Sequence, residues 1–186
     1  MVKIQALLDR MKSTPIDMEI LKSKLPPYCN TVEYKQLANK HRSELFKKYE
    51  CVVVFIPSKT KQVGHFIMLS ARDRYISYFS SLGGSPQSEL KRLGQDESVM
   101  MNILGKHFTY NSKALQSSAK NIQDCAPWIL ARAYLNHLKL ADFQNLFSHS
   151  VHLQTPDDQV TFMTLLLFSD RYSNRISFSD INNCGA

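Results

Sequence analysis

Three extended apolar runs follow one another between residues 51 and 81, and they commit this chain to a sheet. Cys51-Val52-Val53-Val54-Phe55-Ile56 is apolar and rich in β-branched residues without alternation, the pattern of a strand buried on both faces. Pro57-Ser58-Lys59-Thr60-Lys61 reads as a loop. His65 to Ala71 and Tyr75 to Ser81 then read as two strands joined at Arg72-Asp73-Arg74. Gly83-Gly84-Ser85-Pro86 breaks the second strand. Ser85 can cap a helix and Pro86 suits a first helical position, so a helix follows through about Leu93. His107 to Asn111 reads as a further short strand.

Helical periodicity flanks these runs. Residues 1 to 12 place Ile4, Leu7, Leu8 and Met11 on one side, and residues 32 to 48 look helical with lysines outward. From Cys125 onward, Pro127, Trp128, Ile129, Leu130, Ala133, Tyr134 and Leu138 form a broad apolar stripe. At Thr155-Pro156-Asp157-Asp158 a threonine can cap, a proline takes the first turn, and two acids favour the positive end of the helix. That helix reaches about Phe168. The expected fold class is α+β, a small mixed sheet flanked by helices. One domain is expected over residues 1–186, with a helical part over 1–48, the sheet over 51–111 and a second helical part over 125–186. Hydrophobic residues make up 44% of the chain, enough to fill such a core. No run approaches the roughly 18 apolar residues of a membrane span, so no membrane partner is expected. Met1 to Leu8 lacks a basic flank leading into a long apolar stretch, and no signal peptide is read there.

Four cysteines, Cys29, Cys51, Cys125 and Cys184, are widely spaced and form no Cys-x-x-Cys pair. The spacing argues against a zinc site and a disulfide scaffold, and predicts free thiols in a reducing compartment. Cys29 and Cys184 read as exposed bystanders or as thiols for a partner. The charge is uneven. Residues 35 to 61 hold seven Lys/Arg and two Glu, a balance of +5, while 141 to 186 hold two Arg and five Asp, a balance of −3. The basic segment is either a solvated helix face or a patch that docks DNA with salt-sensitive affinity.

Two places can carry chemistry. If Arg72 and Asp73 form a two-residue turn, paired positions sum to 145 and His65 lies opposite Ser80 on the same face. A histidine beside a partner on a rigid neighbouring strand suits a base and its orienter. Cys125 opens a helix, where unpaired amides and the helix dipole stabilise a thiolate. The Cys125 amide could hold a developing oxyanion, and a side-chain amide such as Gln116 would give a second donor. Each residue also has a plain alternative. Cys125 suits a small buried core position, His65 a hydrogen-bonded strand end, and Gln116 a loop. His149-x-x-His152 has metal-ligand spacing without an evident third ligand, so no metal and no cofactor are expected.

The order of these pieces resembles the adenain-like cysteine proteases of adenoviruses, whose relatives include SUMO-specific proteases and the maturation proteases of virophages and Polinton elements. Gly64-His65-Phe66-Ile67-Met68-Leu69 is similar to that family's Gly-His-Trp strand, and Tyr78-Phe79-Ser80-Ser81-Leu82-Gly83 to its Tyr-Phe-Asp-Ser-Phe-Gly strand end. Leu115-Gln116-Ser117 resembles its glutamine segment, and Asp124-Cys125-Ala126 its Asp-Cys-Gly at the head of the nucleophile helix. The resemblance implies a papain-like active site in the order His, acid position, Gln, Cys. His65 would be the base, Ser80 would occupy the position of the orienting acid, Gln116 would be the oxyanion donor and Cys125 the nucleophile. It implies a thiol endopeptidase that cuts capsid or core precursors near glycine during particle maturation, in a virion or viral factory of the host cytoplasm. The alternatives it carries are a deubiquitinase- or deSUMOylase-like protease and a catalytically weak protease-fold binding module.

Three departures bear on that implication. Ser80 stands where the family carries Asp, Glu or Asn, so either a weaker imidazolium is expected, or a water or backbone carbonyl that shares the orienting role. Ala126 replaces a glycine. Gln116 precedes Cys125 by nine residues, more than the usual interval, with Gln123 as a rival donor.

Overall fold

The structure, a computed structural model, describes residues 2–59, 64–72, 75–118, 125–147 and 155–168. In chain order its elements are α1 (Val2–Lys12), α2 (Met18–Lys24), β1 (Cys29–Glu33), a 3-10 helix (Tyr34–Asn39), α3 (Arg42–Leu45), β2 (Cys51–Pro57), β3 (Gly64–Arg72), β4 (Tyr75–Phe79), α4 (Pro86–Arg92), α5 (Glu97–Leu104), β5 (Phe108–Tyr110), α6 (Cys125–Tyr134), α7 (Leu140–Leu146) and α8 (Pro156–Phe168). The chain is α+β, as the alternation of periods requires.

The five strands lie in sequence order, β1-β2-β3-β4-β5. The sheet is mixed: β2, β3 and β4 run antiparallel, while β1 pairs parallel with β2 and β5 parallel with β4. β2 and β3 are central, which is why β2 is apolar on both faces. Its Val52, Val54 and Ile56 join Ile67, Leu69, Ile76 and Tyr78 under α4, α5 and the 3-10 helix. Its Cys51 and Val53 join Phe66, Met68 and Phe79 under α6, α7, α8 and Leu21 of α2. The second layer is aromatic. Trp128, fully buried, stacks edge-on against Phe147 at 4.7 Å, and Phe143 meets Phe79 at 5.3 Å. Burying such rings contributes roughly 2–3 kcal/mol apiece.

The helix ends follow their capping residues. Asp17 accepts from the Ile20 amide, Ser85 from Ser88, and Asp96 from Ser98. Thr155 and Asp158 cap each other's amides at the start of α8. Asp158 also receives Lys12 at 2.6 Å and Gln5 at 3.2 Å, which fastens α1 onto α8. Burial works against its charge, but hydrogen bonds from Lys12, Thr155 and Gln5 outweigh that and hold its carboxyl below the usual range.

Two expectations change here. The segment from 1 to 48 is not wholly helical: β1 and the 3-10 helix occupy 29–39, and only Val32 of β1 is buried, so its apolar signal is faint. Nor are all thiols free. Cys29 and Cys51 form a disulfide between directly paired residues of β1 and β2, with Cα atoms 4.8 Å apart. A separation of 22 residues in sequence conceals that adjacency, which only the parallel register creates. Cys184 lies outside the described residues. No helix among the described residues is long and apolar enough to cross a membrane.

Candidate active site

His65 is the second residue of β3 and is only 5% exposed. The β3–β4 register pairs Met68 with Phe79 and Arg72 with Tyr75, so paired positions sum to 147 and the turn falls one residue later than expected. A slip of two in the sum preserves the face. Ser80 is therefore the diagonal neighbour of His65 on the same side, and the His65 Nε2 to Ser80 Oγ distance is 2.9 Å.

The serine is not the end of the chain of contacts. Its hydroxyl donates to Glu89 Oε1 at 2.6 Å. Glu89 lies on α4, 3% exposed, and also accepts from the Tyr78 hydroxyl at 2.7 Å and the Gly84 amide at 3.0 Å. A carboxylate thus stands one hydroxyl away from the imidazole. The sequence expectation of a weaker imidazolium, or of help from a water or backbone carbonyl, did not include this side chain. Gly84 permits the arrangement: a Cβ there would lie 2.7 Å from Glu89 Cγ and 3.0 Å from Oε1. Burial pushes the Glu89 carboxyl up, while the bonds from Ser80, Tyr78 and Gly84 act in the opposite sense. Burial also pushes the His65 imidazole down, to about 3, with the charge of Arg92 adding to the effect. At neutral pH the ring is neutral.

Ser80 is held by its backbone as well. Its amide donates to Asn111 Oδ1 at 3.0 Å and its carbonyl accepts from Asn111 Nδ2 at 2.6 Å, so one buried amide side chain closes the β4 end as a strand would. Beyond it, Gly83 adopts φ +68°, and a Cβ there would strike the backbone of Lys113 and Ala114. Its bare backbone lets the 113–117 segment pass alongside. Gln116 and Leu115 both donate their amides to the Ser81 carbonyl, and the Ser81 hydroxyl donates to Gln116 Oε1 at 2.7 Å. That bond fixes the amide, with its oxygen toward Ser81 and its NH₂ as the other end. Ser117 donates to Asp157 Oδ2 at 2.9 Å, and Asp157 Oδ1 accepts from Trp128 Nε1 at 2.9 Å. Burial raises the Asp157 carboxyl against those two bonds.

Cys125 is the first residue of α6, half-buried at the margin of the aromatic layer and outside the disulfide. Trp128, tied through Asp157 to Ser117, is one turn further along the same helix. Hydrogen bonds thus run from His65 to Ser80, from Ser81 to Gln116, and from Ser117 through Asp157 to the first turns of the cysteine helix. The two layers matter here. His65 shares the parity of Ile67 and Leu69, on the α4 side of the sheet, whereas α6 covers the opposite side at Phe66 and Met68. His65 and Cys125 thus belong to side-chain layers on opposite faces of the sheet. Gln123, Asp124, His149 and His152 lie outside the described residues.

Sequence reasoning missed Glu89, Asn111 and the tie through Asp157. Glu89 carried a signal, because Pro86, Glu89, Leu90 and Leu93 repeat at helical spacing and all four are buried. An acid on an apolar stripe has an internal partner or a task.

No protein-family model matches the chain. The chain is similar to uncharacterized protein V9 of Sputnik virophage, 27% identical over 158 residues that cover 77% of this chain and 87% of that protein.

Proposed function

We propose that the chain is a thiol endopeptidase in which Cys125 attacks a peptide carbonyl, His65 accepts the thiol proton, and Gln116 and the Cys125 amide hold the oxyanion. In the acyl step the sulfur bonds to the carbonyl carbon as its proton passes to the imidazole. The collapse of the adduct breaks the C–N bond, and that proton leaves with the amine. Water then hydrolyses the thioester by the reverse proton route. The observation that carries this reading is the bonded His65–Ser80–Glu89 chain, set beside a Gln116 whose amide is fixed by Ser81 and whose segment is fastened to the cysteine helix. Nε2 is committed to Ser80, so Nδ1 is the nitrogen left to take a proton. The proposed substrates are capsid or core precursors, cut near glycine in a particle or viral factory, a reading supported by the motif order shared with the adenain-like proteases and by the similarity to a virophage protein.

Alkylation of Cys125 by iodoacetamide at pH 7 is the direct test. Labelling is expected to slow at least about tenfold in His65→Ala, as a thiol loses its base. Equal, slow labelling of both forms contradicts the pairing.

One observation favours a second reading, a protease-fold module that grips a precursor and cuts it poorly. A ring held neutral down to about pH 3 stores no thiolate–imidazolium pair in the resting protein. On that reading a precursor co-elutes intact with the chain over hours of incubation, and new fragments exclude it.

A further inference from the structure

We propose that Glu89 is a positioning residue that sets the tautomer of His65 through the Ser80 hydroxyl, a relay in which a serine stands between base and acid. The inference rests on the endopeptidase reading for its purpose but not for its test.

A count of protons decides the tautomer. The Ser80 hydroxyl has one hydrogen, and at 2.6 Å it is given to Glu89 Oε1. An ionised carboxylate only accepts, and Glu89 is ringed by donors: Ser80, Tyr78 and the Gly84 amide. With its hydrogen spent, Ser80 Oγ is an acceptor toward everything else. It accepts from the Leu82 amide at 3.2 Å, and so it must also accept from His65 Nε2 at 2.9 Å. The ring proton is thereby fixed on Nε2, and the lone pair on Nδ1. When Nδ1 takes a proton, the cation shares Nε2–H with the serine, whose own O–H stays on the carboxylate. No proton needs to leave Glu89 or reach it. A serine alone cannot do this, because its hydroxyl would turn to donate to a ring nitrogen as readily as it accepts. The carboxylate makes the choice.

The surrounding backbone is built to keep the relay in register. Asn111 clamps Ser80 on both its amide and its carbonyl, and the bare Gly84 lets its own amide reach the carboxylate. The charge sits one residue farther from the ring than a directly bonded acid would. The relay therefore orients the base strongly and stabilises its cation weakly.

The test is the pair of ring ¹⁵N resonances of His65 at pH 7 in the full chain, which needs no substrate. In the native protein Nε2 is expected to be protonated and Nδ1 bare. Ser80→Ala is expected to mix the tautomers, and Ser80→Thr, which keeps the hydroxyl, to restore the native pattern. Glu89→Gln, of nearly equal shape, removes the charge and is expected to slow Cys125 alkylation about tenfold, the worth of one pKa unit at the base. A native ring protonated on Nδ1, or ring resonances unmoved in Ser80→Ala, overturns the relay. A correct tautomer in a chain that cuts nothing would leave the relay standing and remove the protease reading instead.

Discussion

Cys125→Ala is expected to lower cleavage of a capsid precursor by roughly a millionfold, to the rate of the uncatalysed bond or of trace contaminants. Loss of a nucleophile that acts with a base as one unit costs on that order, because neither partner does the chemistry alone. The same substitution should leave the fold in place. Cys125 is only half-buried at the end of α6, and the packing of that helix begins in earnest at Ala126, Trp128 and Ile129, all fully buried. The measurement is the appearance of precursor fragments by electrophoresis and mass spectrometry, with His65→Ala alongside. Both variants should fail together, and their double variant should be no worse than either. Fragments formed at the native rate by Cys125→Ala would assign the cutting elsewhere.

Acid should destabilise the native protein, in large part through His65. In the unfolded chain its imidazole titrates near 6.5, whereas in the fold burial holds it at about 3. Between those values the unfolded state binds the proton and the folded state does not, so stability rises with pH across the window and is lost as pH falls. One unit is worth about 1.4 kcal/mol, which makes the loss roughly 2 kcal/mol by pH 5 and roughly 4 kcal/mol by pH 3. Against a typical domain stability of about 5–15 kcal/mol this is a large fraction. Glu89 acts in the other direction. Its carboxyl is raised by burial, so it weakens the fold as pH climbs above the ordinary glutamate range. A difference measurement isolates the histidine. Urea unfolding of the native chain and of His65→Gln from pH 7 to pH 4 should show the two stability curves converging as pH falls, with the variant the flatter. Parallel curves would mean that the imidazole is not buried in its neutral form.

What the residues disclosed depended on how local each signal was. β2 declared itself through Val52, Val53 and Val54, and α4 through Ser85 and Pro86, because each signal lies within a few neighbouring residues. The face shared by His65 and Ser80 is legible from period two alone, although the turn lies one residue later than that pairing predicts. β1 was not legible. It offers one buried side chain, and its existence depends on pairing with β2 some 22 residues away, where the Cys29–Cys51 bond also forms. α2 and α5 escaped because seven and eight residues span too few turns for a period to stand out. An acid early in a helix is ordinarily a capping partner facing water, and that pattern hides Glu89. Its position on the stripe with Leu90 and Leu93 was the contrary sign. Asp157 signals a helix start, and nothing in the sequence ties it to Trp128 and Ser117, 29 and 40 residues distant.

The sulfur of Cys125 and the ring of His65 are proposed to work on one carbonyl. A crystal structure of the chain soaked with a glycine-terminated peptide aldehyde tests it most directly. The account predicts a hemithioacetal on Cys125, its oxygen within hydrogen-bond range of the Gln116 NH₂, and His65 Nδ1 facing the sulfur. An aldehyde left unbound, with the thiol turned into the aromatic layer away from the imidazole, would contradict it.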